Sequence, residues 1–363
     1  MSNNGLRSYI APGAPATRRP CDGTESPLRI EFGFTPRWYH DRLDVDFSER
    51  WHTDPLHRAR CVEAMRSELR SRFPGLPIGG DFDILPPGNL DGVHGALIIS
   101  RVFGVGAEYY ADNWPAATHD YLTEPQIARL EPPALEDNPF FAGILEQMET
   151  IHREFGLVGG YLNWQGVLNN AHRLRGPELF MDLMVNPEMV RHLFAVVTET
   201  MIAGMRLVYG KQAATGFHAA HATVSNCLVN MVSPDCYREQ ILPHDRVLAA
   251  AFPSFGIHNC AWNVDPYIAD YAGVQPLDYV DMGLESDLLR ARELCPDSRR
   301  ALMYTPMDLA NKNLESLRAD LLRVHNELGP CDIVMADIET DTPDQRVLDA
   351  ARFAGEIMAE SLI

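Results

Sequence analysis

The sequence has little positive charge for its size. Its 363 residues include 31 Lys and Arg against 50 Asp and Glu, which gives a formal charge of −19. Proteins that bind nucleic acid or anionic membranes present basic patches, so this balance argues against both kinds of partner. Apolar runs of about 18 residues, which would predict a membrane helix, are absent, and the first twenty or so residues lack the apolar core of a signal peptide. We therefore expect a cytoplasmic protein that binds neither nucleic acid nor membrane.

Cysteine is also scarce, with 7 residues in the whole chain. An odd number of widely scattered cysteines does not predict a disulfide framework in a chain of this length. We expect reduced thiols, most of them packed as small apolar side chains. A cysteine becomes a candidate ligand only where its position gives a separate reason.

The chain alternates between segments typical of strands and segments typical of helices. Five predicted strands, each followed by a helix, lie in the second half, and candidate strands in the first half bring the count to eight. Such a run favours an α/β fold, a single (β/α)8 TIM barrel. The five are GFHAAHATV, FGIHNCAW, LDYVDMG, RRALMYT and CDIVMADI, and the earlier extended segments, of which three complete the count of eight, are LRIEFGF, IGGDFDIL, ALIISRVFG and GLVGGYLNWQ.

Two regions interrupt this alternation. Residues 1–27 are rich in Pro, Gly and Ala without periodicity, which predicts a flexible N-terminal arm, with the barrel as catalytic domain over residues 28–363. Residues 85–133 combine Pro, Gly and aromatic side chains, which predicts a lid-like insertion in the first half of the barrel.

The pair His258 and Cys260 is the main candidate for chemistry. Barrel enzymes carry their active groups where strands end, and FGIHNCAW ends with these two residues. Residues two apart on a strand point to the same side, so both side chains could reach one ion. Imidazole and thiolate donors suit zinc better than magnesium or calcium. The alternative is a buried thiol beside a hydrogen-bonded histidine.

A third ligand is less clear from the sequence. Cys331 opens the strand CDIVMADI, and six residues at about 3.3 Å each place it roughly 20 Å from that strand's far end. Asp337, at the far end, is therefore favoured as the third metal ligand. Glu339 is the alternative carboxylate, and Cys227 and His221, which flank the end of an earlier strand, are the reserve ligands.

Other polar residues lie near predicted strand ends, and a barrel brings such ends to one mouth. We predict proton transfer by His218 or His221 and orientation of the substrate by Asp281 or Tyr304. The predicted substrate-binding residues are Asn163, Gln165, Trp262 and Glu339.

The chain resembles the uroporphyrinogen decarboxylase superfamily, which contains the decarboxylase and zinc-dependent methyltransferases that exchange methyl groups with corrinoid proteins or thiols. The resemblance spans roughly residues 150–358, and His-x-Cys is its sharpest motif. A fainter resemblance covers FSERWHTDPLHRARCVEAMRSELRSRFP. The carrying segments are RGPELFMDLMVNPEMVRHLFAVVTE, VSPDCYREQILPHDRVLAAAF, GIHNC and DTPDQRVLDAARFAGEI.

In the methyltransferase branch this resemblance implies that His258 and Cys260 bind zinc and that a later cysteine on the last strand completes the site. Alignment back from Thr342 places Ala336 at that position, beside Asp337, and Cys331 lies five residues too early. The resemblance thus implies a carboxylate variant of the zinc site or a different metal. A corrinoid would have to arrive on a partner protein, because the chain has no room for its own corrinoid-binding domain.

The decarboxylase branch fits less well. Its arginine-rich N-terminal signature, which grips the carboxylates of the porphyrinogen, has no counterpart in LRIEFGFTPRWYHDR beyond Arg37. The first hypothesis is accordingly a metal-dependent methyltransferase acting on a small molecule, in which the metal activates a thiol or another heteroatom. The alternatives are a decarboxylase or lyase acting on a carboxylic acid, and a non-catalytic barrel with a closed metal site. A homodimer is compatible with each.

Overall fold

The computed structural model describes residues 27–76 and 86–360. The predicted arm, apart from Pro27, and the predicted strand IGGDFDIL lie outside the described residues. The strands are β1 Leu28–Phe34, β2 Ala107–Glu108, β3 Ala116–Ala117, β4 His221–Ser225, β5 Ser254–His258, β6 Tyr279–Gly283, β7 Arg299–Met303 and β8 Cys331–Ile338.

Helices separate the strands of the parallel sheet and cover it. The first half contains α1 Pro36–Leu43, α2 Glu49–Thr53, α3 Pro55–Arg72, α4 Ile98–Val102, α5 Glu124–Ile127, α6 Pro139–Phe155, α7 Val167–Arg175, α8 Glu178–Val185 and α9 Pro187–Ala214. The second half contains α10 Pro234–Cys236, α11 Leu242–Ala251, α12 Ile268–Ala272, α13 Leu288–Leu294, α14 Pro306–Asn311, α15 Leu314–Leu328 and α16 Asp344–Glu360. Short 3₁₀ turns span Leu135–Asp137 and Val229–Met231, and a π-helical turn spans Tyr237–Ile241.

Six of the strands form one parallel sheet in the order β1-β8-β7-β6-β5-β4. The first strand pairs with the last, as the closing of a (β/α)8 barrel requires. The fold is therefore α/β with a parallel sheet and covering helices, as predicted. A closed ring of eight strands is not found among residues 27–76 and 86–360, because β2 and β3 form a separate antiparallel pair.

Two predicted strands are not strands. ALIISRVFG contains α4, whose residues Ile98, Ile99 and Val102 are buried. A short apolar run buried on all sides has the same composition in a helix and in a strand, which is why the pattern misled. GLVGGYLNWQ contributes only an isolated parallel bridge from Gly159 to Asn89, and Gly160, with φ 93°, breaks the extended backbone.

A buried group of charges joins the beginnings of three strands. Arg299 on β7 pairs with Asp332 on β8, and Arg29 on β1 contacts both Asp332 at 3.0 Å and Glu31 at 2.9 Å. Two arginines and two carboxylates balance, so the desolvation cost of each charge is offset by a partner. In barrels this end of the sheet serves stability, whereas the opposite end carries the chemistry.

The helix α9 is long and apolar enough to cross a membrane by composition alone. Within its apolar window, however, 61% of the residues are buried inside the protein. Its neighbours are α7, α8 and α11. The helix is therefore part of the core, where apolar side chains on several faces contact other helices.

Candidate metal centre

A cavity of about 690 Å³ opens at the carboxyl ends of the sheet strands. Its floor carries residues at or just beyond the ends of β4, β5, β7 and β8. One wall is formed by α7, and another by residues 114–119, which include β3, and by Tyr121. The predicted insertion therefore covers the end of the sheet at which barrel enzymes act. The strand-end residues that line the floor are Ser225, Cys227, His258, Cys260, Met303, Ala336 and Asp337.

Three donor side chains meet in this floor. The ligand atoms of Cys227, His258 and Cys260 all lie within 4.8 Å of one another. Ser225 and His258 are paired across β4 and β5, and the N–H of Asn226 donates to the carbonyl oxygen of His258 at 2.7 Å. The two cysteines each follow a paired residue by two positions, so the register of the two strands places their thiols side by side.

His258 and Cys260 come together as predicted, but not because both lie on one face of a strand. β5 ends at His258, and Cys260 lies in the turn beyond it with φ 58°. This left-handed conformation is costly for a residue with a Cβ and tends to persist at functional sites. It directs the Cys260 sulfur to 3.2 Å from Nε2 of His258 and 2.8 Å from the Cys227 sulfur.

Asp281 fixes the orientation of the His258 ring. Its Oδ2 lies 2.6 Å from Nδ1 of His258 and also accepts the Tyr279 hydroxyl at 2.8 Å, while its Oδ1 accepts the N–H of Asn259 at 2.6 Å. A histidine that donates from Nδ1 presents the lone pair of Nε2, the arrangement found in carboxylate–histidine–metal sites. Asp281, predicted to orient a substrate, is fully buried within β6 and instead orients His258.

The thiols of Cys227 and Cys260 differ in their hydrogen bonding and in their pKa. The S–H of Cys260 donates to the Cys227 sulfur, and this bond, together with the nearby His258, lowers the pKa of Cys227 well below its ordinary value although burial opposes the shift. Two sulfur donors and one imidazole nitrogen match the zinc sites of proteins, in which thiolate and imidazole ligands are typical. The donor set fits zinc.

Cys227, which the sequence left in reserve, is the third member of the cluster. Asp337, which the sequence favoured, lines the same cavity from within the carboxyl end of β8, with φ 56°, but is not among the three clustered donors. Burial and the neighbouring Glu339 raise the pKa of the Asp337 carboxyl, while His258 opposes this rise. Cys331 is fully buried at the start of β8 and outside the cavity, as its position predicted.

His218 and His221, predicted to carry protons, are not among the residues that line the cavity. His221 is the first residue of β4 and His218 precedes it, so both lie at the end of the strand opposite to Cys227. The His221 ring contacts the hydroxyl groups of Ser254 and Thr223. β4 begins five residues later than the predicted GFHAAHATV, so His221 opens the strand and His218 precedes it.

The remaining predicted residues divide between the cavity and its surroundings. Asn163 and Gln165 line the cavity, and both the backbone N–H and the side-chain amide of Gln165 donate to Oδ1 of Asn163. The Tyr304 ring also lines it, but its hydroxyl donates to Asp320 on α15 at 2.7 Å. Tyr304 is thus a wall residue whose hydroxyl points away from a substrate.

Trp262 and Glu339 are not part of the cavity wall. The Trp262 ring packs edge-on against Tyr267, with 5.5 Å between centroids. The Glu339 carboxylate accepts the Thr35 hydroxyl at 3.3 Å beside β1.

One face of α7 supplies residues that sequence reasoning missed. Asn169, His172 and Arg173 line the cavity, at the spacing of three and four residues that places side chains on one helix face. Oδ1 of Asn169 accepts the N–H of Leu228, next to Cys227, at 3.2 Å. Arg173 donates to the Asn169 carbonyl oxygen and has no carboxylate partner within the described part of the chain. The spacing in NNAHRLR could have indicated this face.

Two glycines allow the ligand-bearing turns to approach closely. A Cβ at Gly283, the last residue of β6, would lie 2.0 Å from the Ala261 carbonyl oxygen. A Cβ at Gly166 would lie 2.6 Å from the Ser225 carbonyl oxygen. Only a residue without a Cβ fits beneath the turns that carry Cys260 and Cys227.

Comparison with proteins of known structure bears on the fold. The chain matches a methyltransferase from Methanosarcina mazei with a TM-score of 0.64 and 15% sequence identity, over 94% of this chain and 95% of that chain. A scan against protein-family models finds no matching family, and a search of curated proteins finds no matching relative. At this identity the likeness establishes a shared fold, here with a methyltransferase over nearly the full length of both chains.

Proposed function

We propose that this protein is a zinc-dependent methyltransferase of the uroporphyrinogen decarboxylase superfamily that activates a thiol or a similar heteroatom. The observation that carries the proposal is the cluster of Cys227, His258 and Cys260 in the floor of an open cavity. The likeness of fold to a methyltransferase supports the reaction class. Three protein donors are the number typical of catalytic zinc sites, which leave one position for a substrate.

When bound, zinc would lower the pKa of a substrate thiol and so provide a nucleophile at neutral pH. The three donors lie on the cavity floor, so the substrate atom approaches from the cavity side. Asp281 keeps the His258 ring fixed through its hydrogen bond to Nδ1. The Asp337 carboxylate, in the same cavity, is placed to accept the proton that the substrate loses.

Arg173 supplies an anchor for the remainder of the substrate. A guanidinium in a cavity wall with no carboxylate partner in the described chain favours a ligand that carries a negative group. Asn163 and Gln165 on the same wall form an amide pair that can orient a polar substrate. Together these residues favour a small, anionic methyl acceptor.

We propose a methylated corrinoid carried by a separate protein as the donor. The support for this is the sequence resemblance to corrinoid-dependent methyltransferases and the position of the three donors in the floor of an open cavity. Attack by the activated atom on the methyl carbon would form the new bond while the bond from that carbon to the donor breaks.

Two alternatives fit the geometry less well. A non-catalytic metal site would be closed by four protein donors, whereas three meet here among the described residues. A porphyrinogen decarboxylase would use Arg37, but this arginine forms an exposed ion pair with Asp112 at 2.9 Å and is not part of the cavity wall.

The proposal is tested by incubating the zinc-loaded protein with a methylated corrinoid and a panel of thiols. We expect the methyl corrinoid absorbance to fall as methylated thiol forms, and expect this activity to be lost in the double variant His258→Ala, Cys260→Ala and on zinc removal. The control is Cys236→Ser, a cysteine outside the cavity. A decarboxylation activity that survives chelation, or equal metal content in wild type and double variant, would contradict the proposal.

A further inference from the structure

Cys227 and Cys260 are placed as a potential disulfide pair as well as a pair of metal donors. They follow the register partners Ser225 and His258 on adjacent parallel strands by the same two positions. Adjacent strands lie about 4.8 Å apart, within the Cα separation of roughly 4.4–6.8 Å at which disulfides form. The two sulfur atoms are 2.8 Å apart, less than about 1 Å beyond bonding distance.

The pair is also accessible to small reagents. Both cysteines line the open cavity and are partly exposed, whereas Cys295 and Cys331 are buried. Within the described ranges, the cavity pair is thus the place at which a small oxidant reaches two adjacent thiols.

We propose that Cys227 and Cys260 form a reversible disulfide on exposure to a peroxide, and that this bond switches the centre off by removing two of its three metal donors. The proposal rests on the proposed function and states how that function would be regulated. His258 alone remains as a donor, and a single imidazole does not hold zinc in competition with water and other ligands.

The chemistry balances with the peroxide as oxidant. One thiolate attacks the peroxide, the O–O bond breaks, and the second thiol displaces the resulting hydroxyl from sulfur to form the S–S bond. Two thiols and one hydrogen peroxide yield one disulfide and two waters. Where both sulfurs are metal-bound thiolates, the two protons come from solvent and the zinc leaves as the free cation.

The experiment uses the zinc-loaded full chain, treated with a small excess of hydrogen peroxide. Zinc release is followed with a chromogenic chelator, free thiols are counted after denaturation, and disulfide-linked peptides are identified by mass spectrometry of a non-reducing digest. We expect one zinc released for every two thiols lost, a Cys227–Cys260 linked peptide, and recovery of zinc binding after a thiol reductant and zinc are added. Cys236→Ser should behave as wild type.

Zinc release with other linkages, with sulfinic acid at either cysteine, or without the loss of two thiols would overturn the proposal. The proposal would also be overturned if Cys227 and Cys260 of the wild-type protein stayed reduced after the peroxide treatment. The two proposals fail separately, because methyl transfer is assayed on the same sample before oxidation. A linked pair in a protein without methyl transfer would count against the proposed reaction alone.

Discussion

The Asp281 carboxylate lies 2.6 Å from Nδ1 of His258, and the same side chain accepts the N–H of Asn259. One buried carboxylate therefore fixes both the histidine ring and the backbone of the turn that leads to Cys260. Asp281, which was predicted from the sequence to orient a substrate, thus fixes the geometry of the candidate metal centre.

Asp281→Asn should weaken zinc binding by about 10- to 100-fold, the usual effect of removing the carboxylate partner of a ligating histidine. The amide can donate to Nδ1, which then favours the imidazole tautomer with its proton on Nε2. Zinc affinity is measured by competition with a chelator of known affinity. Asp344→Asn, which removes an ion pair with Arg72 far from the cavity, should leave it unchanged. Equal zinc affinity of Asp281→Asn and wild type would refute this role for Asp281.

Arg173→Met should reduce kcat/KM for thiols that carry a negative group by about 10- to 100-fold and leave neutral thiols unaffected. The loss arises because a cationic partner for the substrate is removed from the cavity wall. Arg173→Lys should retain part of the preference, since lysine keeps the charge but not the planar pair of donors. The control Arg153→Met changes an exposed arginine paired with Glu154. A uniform loss across charged and neutral thiols would indicate a structural role instead.

Gly283→Ala should destabilise the fold by about 1–3 kcal/mol, because its Cβ would meet the Ala261 carbonyl oxygen at 2.0 Å. The displaced turn carries Cys260, so zinc affinity should fall together with the melting temperature. Gly143→Ala in α6 is the matched control, since nothing lies within 4 Å of its Cβ and alanine favours a helix. Calorimetry of the two variants with and without zinc separates the effects. A variant at Gly283 that melts like wild type would show that the turn relaxes freely.

Asp245 makes the stability depend on pH. Burial raises its pKa to about 6, although hydrogen bonds from Asn226 and Tyr237 oppose this rise. Between the ordinary carboxyl value of 3.8 and about 6, the folded protein holds a proton that the unfolded chain has released. This carboxyl's contribution to the free energy of unfolding therefore falls as pH rises through that window, by about 3 kcal/mol in total.

Asp245→Asn should remove this contribution. The free energy of unfolding of the variant should match wild type near pH 4 and exceed it by up to about 3 kcal/mol above pH 6. Urea unfolding of both proteins across this range measures the difference, and other carboxylates cancel in the comparison. A difference that is independent of pH would show that Asp245 is ionised throughout.

The α/β class and the pair His258 and Cys260 could be predicted from the sequence. The pair could be predicted because a short apolar segment followed by polar residues marks the end of β5. The sequence was not sufficient for Cys227. That thiol joins the pair through the register of β4 against β5, which depends on tertiary contacts, and the predicted strand began five residues too early. His218 and His221 lie before and at the first residue of β4, whereas the cavity lies at its carboxyl end.

The residues of the cavity wall were not predicted from the sequence for a different reason. Arg173 and His172 belong to a helix, whereas active groups were expected at the ends of strands. Likewise, the left-handed conformations of Gln165, Cys260 and Asp337 bring three residues into one cavity, but side chains with a Cβ give no local signal for positive φ. These features come from tertiary packing.

The central claim is that Cys227, His258 and Cys260 hold one metal ion. Zinc per chain, measured by elemental analysis in wild type, Cys227→Ala and Asp337→Asn after identical dialysis, tests it most directly. We expect one zinc in wild type and in Asp337→Asn, and little or none in Cys227→Ala. Full zinc in Cys227→Ala together with its loss from Asp337→Asn would contradict the account and assign the third position to the carboxylate.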